Sequence, residues 1–163
     1  RGKATITERN GNIREFYVNE NNHHILTREL TRGFRDDEPE AFETRSYFNE
    51  DGLLIRRMYP EGNEIHYDYD TDGPRRMQRN IVEEREVADS DRGGGEDLVT
   101  TYTYEPLFNR ISSTTDPRGN SQTYVPPLGA ASQERYTTQY FYDYQESNDP
   151  AHSILKCKRA NIR

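Results

Sequence analysis

The chain has no tryptophan, two methionines and one cysteine among its 163 residues, and only 31% of it is apolar. Each shortage excludes something. The lone Cys157 rules out an internal disulfide and any multi-cysteine metal site. No segment approaches the roughly 20 apolar residues that a membrane-spanning helix needs. A self-filling globular core is also in short supply, because ordinary domains are close to half apolar. Basic residues number 22 against 29 acids, and the formal charge of −7 weighs against non-specific binding to nucleic acid or anionic lipid, which needs a basic face. The opening Arg-Gly-Lys carries no signal-peptide pattern, so the chain reads as a piece of something longer.

What stands in place of a core is tyrosine. Twelve Tyr and six Phe argue against disorder, which depletes aromatics. Tyr suits strands that are packed along one side and wet at the tip. The composition then describes a thin β structure, wet on both faces.

The chain also repeats itself. A Gly-Asn pair followed four residues later by an aromatic occurs at Gly11-Asn12 with Phe16, at Gly62-Asn63 with Tyr67, and at Gly119-Asn120 with Tyr124. The first two copies are offset by 51, which also aligns Leu26 with Met77, Arg28 with Arg79 and Leu30 with Ile81. The second and third are offset by 57, which aligns Thr44 with Thr101, Tyr47 with Tyr104, Leu54 with Ile111 and Pro60 with Pro117. The six extra residues are expected in the acidic connection around Ala88–Asp97, with its Gly93-Gly94-Gly95 run.

Within a unit the signals are those of strands. Ser46–Asn49 and Thr100–Glu105 combine aromatic and β-branched residues. In Pro60-Glu61-Gly62-Asn63 and Pro117-Arg118-Gly119-Asn120, Pro sets φ at the second turn position and Gly or Asn tolerates the positive φ that follows. Glu50-Asp51-Gly52 is a second hairpin, with Asn109 in the place of Gly52 in the later copy. Residues 74–87 fit a helix, with Met77 and Ile81 four apart. They also fit a strand with Met77, Arg79, Ile81 and Glu83 on one face, and the strand context favours that reading. The units run over about 8–45, 46–99 and 100–146, with 147–163 opening a further segment.

At Tyr67-Asp68-Tyr69-Asp70, Tyr102-Thr103-Tyr104-Glu105 and Tyr142-Asp143-Tyr144 the sequence resembles the YD repeats of Rhs-type proteins. Asp116-Pro117-Arg118-Gly119-Asn120 followed by Tyr124 resembles the connecting turn of those repeats. The resemblance covers about residues 8–146. It implies an all-β fold of long, curved antiparallel hairpins with long acidic loops, forming a segment of a β-sheet shell. It further implies a secreted or cell-surface protein whose shell encloses or carries a toxin or effector domain. The partners it implies are adjacent repeats of the same chain and the enclosed domain. The alternative role is recognition of a surface glycan or protein through Tyr-rich strand faces, such as Tyr102, Tyr104, Tyr140 and Tyr142.

Catalytic and metal chemistry find little footing. Asp68, Asp70, Asp72 and Gly73 begin like a calcium loop, but the ninth and twelfth positions are Arg76 and Arg79, so the stretch reads as a strand end. His23 and His24 are neighbours whose side chains diverge in an extended segment, and His66 and His152 have no ligand-spaced partners. The acids Glu83, Glu84, Glu86, Asp89 and Asp91 read as a solvated loop face. Cys157 lies beside Lys156, Lys158 and Arg159 but has no positioned base. Asp116-Pro117-Arg118-Gly119 is similar to the self-cleaving site of Rhs toxins, but Asn120 follows where Leu is expected, and the tetrapeptide reads as a turn. No cofactor is expected, and no enzyme.

Overall fold

A computed structural model describes residues 2–89, 94–125, 136–142 and 144, and the backbone of 155–156. The expected all-β class is what it shows. Ten strands form one antiparallel sheet in which spatial order follows chain order, and the sheet is not closed into a barrel. They are β1 (Gly2–Thr7), β2 (Ile13–Val18), β3 (His24–Leu30), β4 (Ala41–Phe48), β5 (Leu54–Met58), β6 (Glu64–Tyr69), β7 (Ile81–Val87), β8 (Leu98–Tyr104), β9 (Ile111–Thr115) and β10 (Thr137–Gln139). A separate ribbon pairs β11 (Phe141–Tyr142) with β12 (Leu155–Lys156). One helical turn, α1 (Pro117–Asn120), follows β9. The chain falls into two compact units, Arg1–Tyr67 with Glu86–Gly94 and Asp68–Arg85 with Gly95–Arg163.

One turn design makes the hairpins of the first unit. In Glu8–Asn12, Asn19–His23, Asn49–Leu53 and Tyr59–Asn63, the first N–H donates to the fifth carbonyl, and the fourth N–H donates to the first carbonyl. The fourth residue is then forced to positive φ: 82° at Gly11, 61° at Asn22, 75° at Gly52 and 88° at Gly62. Only Gly and Asn adopt that region cheaply, which is why those types recur there. Pro60 takes the second position of its turn, as expected. In the second unit Asn109 reaches φ 57° in a turn one residue longer, Glu105–Arg110.

The structure corrects four expectations. The first concerns Gly119, which lies inside α1 rather than at the left-handed position of a hairpin. Asp116 supplies the reason. Its carboxylate accepts the Arg118 N–H at 2.9 Å, making an N-cap with Pro117 at the first helical position. Tyr59, at the equivalent place, has no such acceptor, so the same Pro-x-Gly-Asn closes a hairpin there.

The second concerns the extra six residues. β3 and β7 are offset by 57, as are His24 and Ile81 at their starts, and the β3–β4 and β7–β8 connections are equally long. The extra residues therefore lie in the β6–β7 loop, which the Asp70 N–H closes onto the Asn80 carbonyl. It follows that Arg28 corresponds to Arg85 rather than Arg79, and Leu30 to Val87 rather than Ile81. The third correction is local: residues 74–80 are turns, with Met77 donating to Pro74 and accepting from Asn80, so the strand begins at Ile81.

The third copy departs further and supplies the fourth correction. Met58 opposes Glu64 six positions on, whereas Thr115 opposes Thr137 at 22. Counting along both strands, the aromatic equivalent to Tyr67 is Tyr140, not Tyr124. The hairpin has been replaced by a longer excursion, and the strand pairing is kept. Asp91, Gly93, Asp143, His152 and Cys157 lie outside the described residues.

Burial is sparse in both units. In the first, the only buried residue among those described is a carboxylate, Glu15, at 8% exposure. In the second, Glu105, Thr115, Tyr142 and Tyr144 are buried. Backbone ladders and cross-strand pairs, not an apolar core, hold such a sheet together.

Candidate functional site

The most organised side-chain constellation lies on one face of the first unit. Because strand side chains alternate, residues in register form rows across the sheet. One row runs Thr5, Glu15, Arg28, Glu43, and the next runs Lys3, Tyr17, Leu26, Arg45, Met58, Glu64. Glu15 is clamped from three directions: by Lys3 Nζ at 2.5 Å, by the Tyr17 hydroxyl at 2.7 Å and by Arg28 Nη1 at 3.3 Å. Arg28 also reaches Glu43 at 3.0 Å, and Arg45 pairs with Glu43 in turn. Further along, the Arg56 guanidinium lies 4.8 Å from the Tyr47 ring centre and bonds Glu64 at 2.6 Å, whose other oxygen meets His66 at 2.8 Å.

The electrostatics match the geometry. Hydrogen bonds from Lys3 and Tyr17 hold the Glu15 carboxyl below its ordinary value, and the same contact raises Lys3. For Glu64, burial pushes upward but is outweighed by His66 and Arg56, and the net shift is down. Each of these carboxylates is committed to neighbours on its own and adjacent strands. The network is a brace.

Beside it, Tyr17, Ile25, Leu26, Tyr47 and Phe48 line an open, largely apolar groove of roughly 480 Å³. β-Bulges at Tyr17/Val18 and Tyr47/Phe48 flank it.

In the second unit three tyrosine hydroxyls find partners within the sheet. Tyr104 donates to the Ile81 carbonyl at 2.8 Å, Tyr142 to the Ile111 carbonyl at 2.7 Å, and Tyr102 approaches Glu84 at 3.4 Å. Burial raises Tyr69, Tyr102 and Tyr104, and burial together with Glu105 pushes Tyr144 up to about 12. Tyr124 meets Tyr136 edge-on at 5.7 Å.

Two carboxylates there act as loop clasps. Burial would raise Glu105, but the Tyr144 hydroxyl and the N–H groups of Arg110, Leu107 and Phe108 outweigh it and the net shift is down. Glu96 accepts from the Ser121 hydroxyl, the Gln122 N–H and both donors of Thr123, which bring it down to about 2. Asn120 is a third clasp, donating to the Val99 carbonyl at 2.8 Å and the Thr115 carbonyl at 3.3 Å.

Of the calcium-loop acids, Asp70 is engaged by the backbone and Asp72 by the Thr71 hydroxyl. Asp70 Oδ1 accepts the N–H groups of Asp72 and Gly73. Among the described residues no three His, Cys, Asp or Glu side chains come together as a metal cluster. His23 stacks on Phe48 at 4.7 Å, and His24 lies 5.7 Å from Phe16, so the two histidines serve different neighbours. The remaining repeat residues are turn or strand elements: Asn12 and Asn63 give their carbonyls to the hairpin closures, and Asn12 also takes Arg32.

Sequence reasoning missed the recurrence of one ion pair. Glu40, just before β4, meets Arg28 at 3.5 Å, and Asp97, just before β8, meets Arg85 at 3.3 Å. Both partners are displaced by 57 residues. The signal was present in the sequence, but the misplaced insertion hid it. No protein-family model matches the chain, and no curated protein sequence shows significant similarity to it.

Proposed function

We propose that this chain is a structural wall segment of a larger secreted or surface-exposed β assembly of the Rhs type, enclosing or carrying another domain. One observation carries the reading: the only buried residue described in the first unit is Glu15, held by Lys3, Tyr17 and Arg28. A sheet stabilised within its own plane needs no second layer, and both faces are left available for solvent on one side and cargo on the other. The repeated four-strand module, with Arg28–Glu40 and Arg85–Asp97 at matching positions, adds the modularity that a wall needs. Limited proteolysis of the natural protein that contains this segment tests the proposal. A carried domain should resist digestion until the wall is cut or denatured. Digestion at the same rate with and without the wall overturns it.

A second reading, glycan recognition, draws support from the open, largely apolar groove lined by Tyr17, Ile25, Tyr47 and Phe48. Aromatic floors of this kind stack on sugar rings. A glycan array comparing the chain with Tyr47→Ala tests it: loss of a reproducible signal in the variant supports recognition, and no signal in either leaves the wall as the sole reading.

A further inference from the structure

Resting on the wall reading, we propose that the outer edge of β1 is a docking site for one kind of partner: an antiparallel strand of alternating Thr and Tyr like β8. β1 stands at the end of the sheet, has β2 as its only described neighbour, and is exposed at all six positions.

Which backbone groups face outward follows from the hairpin. The Glu8 N–H bonds the Asn12 carbonyl, and antiparallel ladders alternate, so Ile6, Ala4 and Gly2 address β2. Lys3, Thr5 and Thr7 turn their N–H and C=O groups to the edge that no described strand covers. The repeat says what belongs there. Thr7 opposes Ile13 as Met58 opposes Glu64 and as Thr115 opposes Thr137, so β1, β5 and β9 are equivalent strands. β5 and β9 are each covered on the equivalent edge, by β4 and β8.

The side chains choose between those two models of a partner. On β5 the covered positions are Arg56 and Met58, and β4 answers with Tyr47 under the Arg56 guanidinium. β1 carries no arginine. Its Thr5 and Thr7 stand where β9 has Ser113 and Thr115, opposite Thr103 and Thr101 of β8. There Thr103 Oγ1 and Ser113 Oγ are 2.6 Å apart, a hydroxyl pair that Thr5 reproduces. Strand addition supplies main-chain bonds for affinity and side-chain pairs for selectivity.

The experiment titrates a peptide spanning residues 97–105 into the intact chain and reads amide hydrogen exchange residue by residue. The N–H groups of Lys3, Thr5 and Thr7 should slow by about tenfold or more at saturation. The same peptide N-methylated at Thr101 and Thr103, the residues that address β9, should give no slowing. Thr5→Pro removes one outward donor without touching the β2 ladder and should weaken peptide binding about tenfold. Equal slowing by the methylated peptide overturns the proposal, as does no slowing at millimolar peptide. Slowing of the same amides by self-association alone would give the edge to a second copy and also overturns it. Exchange at Leu26 and Arg28 keeps the two readings apart: fast exchange there defeats the wall itself, whereas slow exchange with an unresponsive β1 defeats only the edge.

Discussion

Glu15 stands directly opposite Arg28 across the β2–β3 ladder, and the guanidinium reaches its carboxylate at 3.3 Å while also holding Glu43 on the far side at 3.0 Å. Arg28 is thus the bridge of a three-strand row. Arg28→Met keeps the stem and removes the bridge, leaving Glu15 to Lys3 and Tyr17. Its urea midpoint should fall further than that of Arg45→Met, whose exposed pair with Glu43 is worth about 0.2–1 kcal/mol. The double variant with Glu15→Gln should recover part of the loss, because no buried carboxylate is then left short of a partner. Equal midpoints for the two single variants would show that the row is not a unit.

The glycines of the repeat should not behave alike. Gly62 has φ 88° with nothing within 4 Å of an added Cβ, so Gly62→Ala meets backbone strain alone, about 1–2 kcal/mol. Gly52 has φ 75°, and an added Cβ would lie 2.9 Å from the His23 ring, so Gly52→Ala should cost more. Gly119 lies in a helical turn, where Ala is favoured over Gly by about 0.5–1 kcal/mol. Thermal unfolding of the three variants should order them 52, 62, 119 from most to least damaging. A Gly119→Ala as harmful as Gly62→Ala would contradict the helical turn.

That contrast marks what was legible in the sequence. The left-handed positions at Gly52, Gly62 and Asn109 were readable because each residue type answers to one local constraint. The fate of Gly119 was not, since the deciding group is the Asp116 side chain, one residue outside the shared tetrapeptide. The 51-residue alignment of Leu26 with Met77, Arg28 with Arg79 and Leu30 with Ile81 matched residue types without their cross-strand partners. Strand pairing instead follows backbone hydrogen bonds, which align Arg28 with Arg85 and reveal their acidic partners. In a sheet with so little apolar burial, hydrophobic pattern is a weak guide to register. The shared spacing from Arg28 to Glu40 and from Arg85 to Asp97 is the better one.

Acid should loosen the second unit through Glu96. Its carboxyl is lowered from 4.5 to about 2 by the Ser121 hydroxyl, the Gln122 N–H and the Thr123 donors. A folded-state value below the unfolded one means the stabilisation is complete above pH 4.5 and disappears as pH falls towards 2. Denaturant midpoints measured between pH 6 and pH 2.5 should fall for the native chain. Glu96→Gln should be weaker at pH 6 and should show a shallower fall across the same window. Parallel curves for the two proteins would remove Glu96 from the account.

Asn109 poses the opposite problem from the glycines, because a non-glycine residue holds φ 57° and does so with its side chain engaged. Its amide exchanges two bonds with Asn80, at 2.6 and 2.9 Å, and also donates to the Arg76 carbonyl at 3.0 Å. Asn109→Gly would relieve the backbone at a gain of at most about 1 kcal/mol. It would also forfeit three hydrogen bonds worth about 0.5–1.5 kcal/mol each and strand the Asn80 amide. The net expectation is destabilisation by about 0.5–3.5 kcal/mol, although glycine is what the equivalent turn uses at position 52. The effect should be local: amide exchange of Asp70, whose N–H closes the loop on the Asn80 carbonyl at 2.9 Å, should quicken, while Thr103 in β8 stays protected. A variant as stable as the native chain would mean that backbone geometry alone selected Asn109 and that the loop-to-loop amide pair contributes nothing.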